Sequence, residues 1–259
     1  MPTPFLTMSD VRFAAGERTI LSGIDLSLES GRIYGLVGPN GSGKSTLMKI
    51  MARQHAATSG KLALEGKDAA AWGGREFARK IAYMPQFTPA TDGMTVRELV
   101  ALGRFPWHGT LGRFGKADHA LVDDAIARTD LEDFADRPVA NMSGGERQRA
   151  WIAMMLAQNA SCLLLDEPTS ALDLAHQASM LSLVESLSHE RGLTVVIVLH
   201  DINLAARHCD EIIALNRGRI SAKGTPEEIM QAERLQSIFG VGMGVFTHPA
   251  RGEPVSYLL

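Results

Sequence analysis

Ile33-Tyr-Gly-Leu-Val-Gly-Pro-Asn-Gly-Ser-Gly-Lys-Ser45 is the stretch that decides the fold. Ile33 to Val37 is a short apolar run of the kind that forms a parallel strand covered on both faces. Directly after it, Gly38, four residues and Gly43-Lys44-Ser45 fit the spacing of a phosphate-binding loop. The glycines permit backbone conformations that aim successive N–H groups inward. A helix opening there adds its N-terminus to the same anion site. Lys44 is placed to reach the β- and γ-phosphates of a nucleotide, and the Ser45 hydroxyl to ligate Mg²⁺.

Working outward, Cys162 to Leu165 and Thr194 to Leu199 are further buried-strand runs, and Ile81 to Met84 is strand-like. Helical patterns lie between them. Leu174, Ala178, Leu181, Val184 and Leu187 recur at three or four residues, with Gly192 at the C-cap position. Gly43 to Gln54 and Glu146 to Gln158 also read as helices. Strands alternating with helices predict an α/β domain with a mostly parallel sheet. The first 30 residues and the segment around Gly60 to Gly66 read as an antiparallel β portion. From 87 to 141 no buried strand appears. Val96 to Leu102 and Leu121 to Thr129 look helical, and Gly103 to Gly115, with four glycines and one proline, looks like loop. The expectation is a single domain over residues 1–259 with a helical subdomain inserted at 87–141.

Composition narrows the function. Lys plus Arg is 26 and Asp plus Glu is 29, a formal charge of −3. That balance argues against nucleic-acid binding through bulk charge. No apolar stretch reaches the length of about 18 residues needed to span a bilayer. Met1 to Pro4 shows neither a basic region nor a long apolar run, so no secretory signal is expected. The two cysteines, Cys162 and Cys209, make no disulfide framework and read as reduced and buried. The chain carries no fixed-period repeat and no low-complexity tract.

Four further places carry chemistry. Leu163-Leu-Leu-Asp166-Glu167 ends an apolar strand in two carboxylates. The first suits Mg²⁺ and the second suits activation of an attacking water. Gln86 and His200 follow their own strands, at the carboxyl ends where ligands of open α/β sheets bind. An amide there can ligate Mg²⁺ or orient water, and an imidazole can hydrogen-bond a γ-phosphate. Met142-Ser-Gly-Gly-Glu-Arg-Gln148 has an N-cap at Ser143 and Glu146 three residues on. Two glycines in the first turn are costly for a mere cap. They make sense where phosphate approaches the backbone closely.

In chain order, the phosphate loop, Gln86, Ser-Gly-Gly-Glu-Arg-Gln, Leu-Leu-Leu-Asp-Glu-Pro-Thr-Ser-Ala-Leu-Asp and His200 resemble the nucleotide-binding subunit of an ABC transporter. The resemblance covers nearly the whole chain. Residues 104–115 and 161–177 are similar to the ATPases of ferric-siderophore importers, the hydroxamate (ferrichrome-type) branch above all. Haem and vitamin B12 import ATPases are near relatives. A soluble ABC ATPase of DNA repair or translation is a distant alternative, against which stand a single phosphate loop and no heptad run. A P-loop GTPase would need an Asn-Lys-x-Asp motif, which the chain lacks.

The resemblance implies ATP and Mg²⁺ as ligands and two subunits facing head to tail. Gly38, Pro39, Asn40, Gly41, Ser42, Gly43, Lys44, Ser45 and Thr46 would hold the nucleotide. Ser143, Gly144 and Gly145 would cap the γ-phosphate bound by the other copy. Residues 170–173 would cross the dimer interface. Glu167 would be the general base, His200 the γ-phosphate sensor, and Ser45, Gln86 and Asp166 the Mg²⁺ ligands. Phe13 would stack on adenine, with a core phenylalanine as the competing reading. Met142 stands where relatives usually carry Leu. The expected partners are a second copy, an integral membrane permease and, indirectly, a periplasmic or surface substrate-binding protein, with no nucleic acid. The expected place is the cytoplasmic face of the cell membrane.

Between Leu99 and Ala117 lie Arg104, Arg113 and Lys116 with no acid, interleaved with Phe105, Trp107 and Phe114. Basic residues mixed with aromatics suit single-stranded nucleic acid. They equally suit a loop that packs its rings inward. The resemblance adds a third reading, in which the helical subdomain and the Gln86 loop receive a permease helix.

Overall fold

The structure, a computed structural model, describes residues 3–89, 91, 93–109, 112–170 and 172–259. Ala171 of the 170–173 loop, and Thr110 and Leu111 of the glycine-rich stretch, lie outside the described residues. Two units divide the chain: Met1–Trp72 with Glu185–Leu259, and Gly73–Val184.

In the first unit, Ile33–Val37 lies parallel to both Thr194–Val198 and Glu211–Asn216, and Arg219–Gly224 pairs antiparallel with Glu211–Asn216. Every residue of Ile33–Val37 and Thr194–Val198 is buried, which is why both read as unbroken apolar runs. Helix Ile202–His208 packs on Ile33–Val37. Gly35 allows that approach, because a Cβ there would lie 2.9 Å from the Cys209 Sγ and 3.2 Å from the Ala205 Cβ. Cys209 and Cys162 are both free and buried, and burial pushes both thiols well above their ordinary pKa.

The expected antiparallel portion is present. Leu6–Ala15 pairs with Arg18–Leu28 on one side and Ser59–Leu64 on the other, and Lys67–Asp68 extends the edge. A C-terminal hairpin of Met243–Thr247 and Pro254–Leu258 was not expected. Asn203 ties it to its helix: the Asn203 Oδ1 accepts the Ser256 backbone N–H at 2.7 Å.

In the second unit, Ile81–Met84 pairs parallel with Cys162–Leu165. Helices Val96–Leu102, Lys116–Arg128 and Gly144–Gln158 pack on one another. Their buried residues fall at the expected i, i+3 and i+4 positions: Val96, Leu99 and Val100 on one helix, and Val122, Ala125 and Ile126 on the next. Thr95 starts the first of these with a capping box, accepting the Glu98 backbone N–H.

Several expected boundaries shift. The helix expected over 43–54 is Lys44–Met51, because the chain turns left-handed at Arg53 (φ +56°). The helices expected to begin at Leu121 and Glu146 begin at Lys116 and Gly144. The strand expected to reach Leu199 ends at Val198.

The stretch read as loop, Gly103 to Gly115, contains the helix Phe105–His108, with Pro106 in its first turn. Tertiary contacts hold it. Trp107 Nε1 donates to the Gln158 carbonyl at 2.8 Å, and Trp107 has the guanidinium groups of Arg79 and Arg104 within 5 Å of its ring. Arg104 is buried, and its acid lies one residue beyond the acid-free window: Arg104 Nε donates to Asp118 Oδ1 at 2.9 Å, and His108 Nε2 lies 2.7 Å from the same oxygen. None of the three rings is a core residue: Phe105, Phe114 and Trp107 all stay partly exposed, although Trp107 is pinned by its contacts to Gln158, Arg79 and Arg104.

Burial alone would raise the Asp118 pKa. The Gly115 backbone N–H, His108 and Arg104 outweigh it and hold the carboxyl at about 2. An unfolded aspartate titrates near 4. A depressed folded-state pKa stabilises the fold above the unfolded value, and that stability is lost as pH falls from about 4 to about 2. Asp118→Asn should therefore cost about 3 kcal/mol at pH 7, because it leaves Arg104 buried beside a neutral group. In denaturation curves the gap to wild type should narrow as pH drops from 4 towards 2. Equal stability at pH 7 would remove the carboxylate from this role.

Candidate nucleotide-binding and catalytic site

The phosphate-loop residues belong to the first unit. The loop leaves strand Ile33–Val37 at Gly38, whose φ of +141° and surroundings admit no side chain: a Cβ would lie 2.0 Å from the Leu215 carbonyl oxygen. Gly41 and Gly43 also have positive φ. Lys44 is buried and its Nζ donates to the loop's own carbonyls, Gly38 O at 2.8 Å and Pro39 O at 3.1 Å. The ammonium is thereby held over the loop it is expected to serve. Ser45 and Thr46 lie in the first turn of Lys44–Met51. Pro39 to Ser42 line a cavity of about 340 Å³ with Asn216, Arg217 and Ile238–Gly240. The buried Ser42 Oγ has no hydrogen-bond partner among the described residues. A buried hydroxyl without a partner is costly, and an anion bound in the loop would supply one. These residues fit a polyphosphate.

Phe13 lies on Leu6–Ala15 and is not a core residue. It is half buried, and its ring stacks on His55 at 5.4 Å between centroids and 11° between planes. His200, exposed, stands two residues beyond strand Thr194–Val198. It borders a cavity of about 450 Å³ lined otherwise mainly by Ile202, Phe239, Val241, Met243 and Leu258.

Asp166 and Glu167 belong to the second unit and follow strand Cys162–Leu165 directly. Asp166 is buried, and its Oδ2 accepts a hydrogen bond from the Tyr83 hydroxyl at 3.3 Å. Burial and the Asp166 charge push the Tyr83 phenol well above its ordinary pKa, so it stays a donor. Tyr83 was not expected as a site residue, although it sits within the strand-like run before Gln86. Glu167 adopts φ +52°, uncommon for a residue with a side chain. Its Oε2 accepts from Gln86 Nε2 at 2.5 Å. The structure thus joins two expected catalytic residues, Gln86 and Glu167, in one contact.

Ser143 caps helix Gly144–Gln158. Its Oγ accepts the Glu146 backbone N–H at 3.3 Å, and its own N–H donates to Glu146 Oε2 at 2.8 Å. The Ser143 backbone N–H, and after it the Ser143 hydroxyl, hold the Glu146 carboxyl below its ordinary pKa. A Cβ at Gly144 would meet nothing within 4 Å among the described residues, so none of them requires glycine there.

No cluster of three or more His, Cys, Asp or Glu able to hold a metal occurs among the described residues. The expected donors, a serine hydroxyl, an amide and one carboxylate, are instead hard oxygen ligands. They suit Mg²⁺, which takes few protein ligands beside substrate phosphates.

A strand running into a phosphate loop, a second strand ending in Asp-Glu and a glycine-led helix start define a nucleotide-hydrolysing cassette. The family model described as ABC transporter matches residues 21–170. The chain belongs to the ABC transporter family. It is 40% identical over 250 residues to the iron(3+)-hydroxamate import ATP-binding protein FhuC of Bacillus subtilis, covering 96% of this chain and 93% of that protein. It is 41% identical over 255 residues to the hemin import ATP-binding protein HmuV of Pseudomonas entomophila, covering 96% and 98%. Among solved structures, an inward-facing putative metal-chelate type ABC transporter superposes with a TM-score of 0.85 at 26% identity, covering 99% of this chain and 97% of that one.

Proposed function

We propose that this chain is the ATP-hydrolysing subunit of an importer that drives uptake of a ferric siderophore, of the hydroxamate type, through a separate membrane permease. The observation that carries the substrate class is the likeness to a hydroxamate importer along 96% of the chain. Haem is the second reading, favoured by a likeness of equal extent to a hemin importer.

In this reading Gly38 to Thr46 bind the triphosphate and Phe13 stacks on adenine. Ser45, Gln86 and Asp166 hold Mg²⁺, which offsets the phosphate charge. Glu167 takes the proton of the attacking water, and His200 hydrogen-bonds the γ-phosphate. The contact between Gln86 and Glu167 supports that assignment, because it orients the carboxylate before any substrate arrives.

Two copies face head to tail, each presenting Ser143, Gly144 and Gly145 to the nucleotide of the other. The open space at Gly144 supports this, as does Leu174, 82% exposed beside the 170–173 loop. The whole chain acts as one cassette, with residues 87–141 as the helical insert that meets the permease. The half-exposed Leu102 and Phe105 belong to that insert. No helix among the described residues is long and apolar enough to cross a membrane. Spanning therefore falls to the permease, with the chain held peripherally at the cytoplasmic face and a binding protein delivering cargo from the other side.

Deletion of the gene tests the substrate. Growth on ferric hydroxamates as sole iron source should fail, while growth on ferric citrate, haem and vitamin B12 as separate supplements should persist. Loss on haem alone would favour the second reading, and loss on none would overturn both.

A further inference from the structure

Asp173, His176 and Gly145 meet at one point within the second unit. The Asp173 Oδ1 accepts the His176 backbone N–H at 2.9 Å, as an N-cap does for the helix Leu174–Arg191. The same oxygen lies 2.8 Å from the His176 Nδ1. One carboxylate oxygen therefore fixes both the backbone and the ring of His176. The ring rests against the first turn of the helix that Ser143 caps: a Cβ on Gly145 would lie 2.7 Å from the His176 Cδ2. Unlike Gly144, Gly145 lies close enough to this ring that a Cβ there would displace it. One turn further along both helices, Arg149 Nη2 donates to Ser179 Oγ at 2.7 Å, a second rung of the same seam.

We infer that His176 is a positioning residue that couples the loop 170–173 to the glycines Gly144 and Gly145. The inference rests on the head-to-tail reading above, in which both segments face the nucleotide of the other copy. Asp173 belongs to the loop and Gly145 to the helix start, and the imidazole reaches both. A displacement of the loop is transmitted through the ring to the backbone N–H groups that cap the γ-phosphate. Neither segment then reaches its hydrolytic position alone. The side chain itself touches no phosphate in this account; it sets the distance between two groups that act.

His176→Ala and His176→Asn test this together. An asparagine amide can still donate to Asp173 from nearly the position of the imidazole Nδ1, whereas alanine cannot. On the purified chain, His176→Ala should lower kcat about tenfold, with KM for ATP and the nucleotide Kd within about twofold of wild type. His176→Asn should recover kcat to within about threefold, and the melting temperatures of the three proteins should agree within a few degrees.

Wild-type kcat in His176→Ala would overturn the inference. So would equal loss in both variants, or a loss that follows the fraction of unfolded protein. Ser143→Arg, measured on the same preparation, separates the two layers. Full activity in Ser143→Arg removes the head-to-tail reading, whereas inactive Ser143→Arg with fully active His176→Ala removes only the role of His176.

Discussion

Glu167→Gln is expected to bind ATP with wild-type affinity, to lose at least about 100-fold in turnover, and to accumulate as a nucleotide-bound dimer. The size of the effect follows from the change being confined to basicity. Glu167 Oε2 accepts a hydrogen bond from Gln86 Nε2, and a glutamine at 167 offers a carbonyl oxygen to the same donor. Shape and backbone, including the left-handed φ at this position, can persist. What disappears is the capacity to take a proton from water. Steady-state ATPase assays, with size exclusion in the presence of ATP, read both parts. Near-normal turnover in this variant would show that another group is the base.

Ser143→Arg is expected to abolish hydrolysis while leaving nucleotide binding by a single subunit intact. Arginine removes the acceptor for the Glu146 N–H, a loss of about 1 kcal/mol for a cap, and sets a long cation where the other copy's nucleotide must close. The first effect is a modest stability cost and the second is a block to assembly. Ser143→Asn separates them, because asparagine keeps an N-cap acceptor without the arginine's bulk or charge. Unchanged steady-state ATPase in Ser143→Arg would sink the head-to-tail arrangement.

What was legible in the sequence is what local chemistry dictates. Ile33–Val37 is buried throughout, so its apolar run has only one sensible reading, and helix Val96–Leu102 announces itself through Thr95 and Glu98. The glycine spacing from Gly38 to Gly43 follows from positive φ angles that L-residues rarely adopt. What stayed hidden depends on partners distant in sequence. Helix Phe105–His108 sits among glycines and persists because Trp107 reaches Gln158, 51 residues away. The window from Leu99 to Ala117 looked uniformly basic, yet Arg104 is neutralised by Asp118 just beyond it. Phe13 was legible as an aromatic of uncertain role, but its stacking on His55 joins two segments that no spacing rule connects. His176 was closer to hand: an aspartate N-cap followed three residues later by a polar side chain is a spacing that could have marked it.

The two buried thiols have a practical consequence. Cys162 and Cys209 are both shut away from solvent and held protonated, so neither offers the thiolate that maleimides, disulfide reagents or oxidants attack. The native chain therefore supplies its own silent background for site-directed labelling. A single cysteine introduced at exposed Leu174 would carry a spectroscopic probe or a bifunctional cross-linker as the reactive thiol, and the approach of two copies could be followed without first removing either native residue.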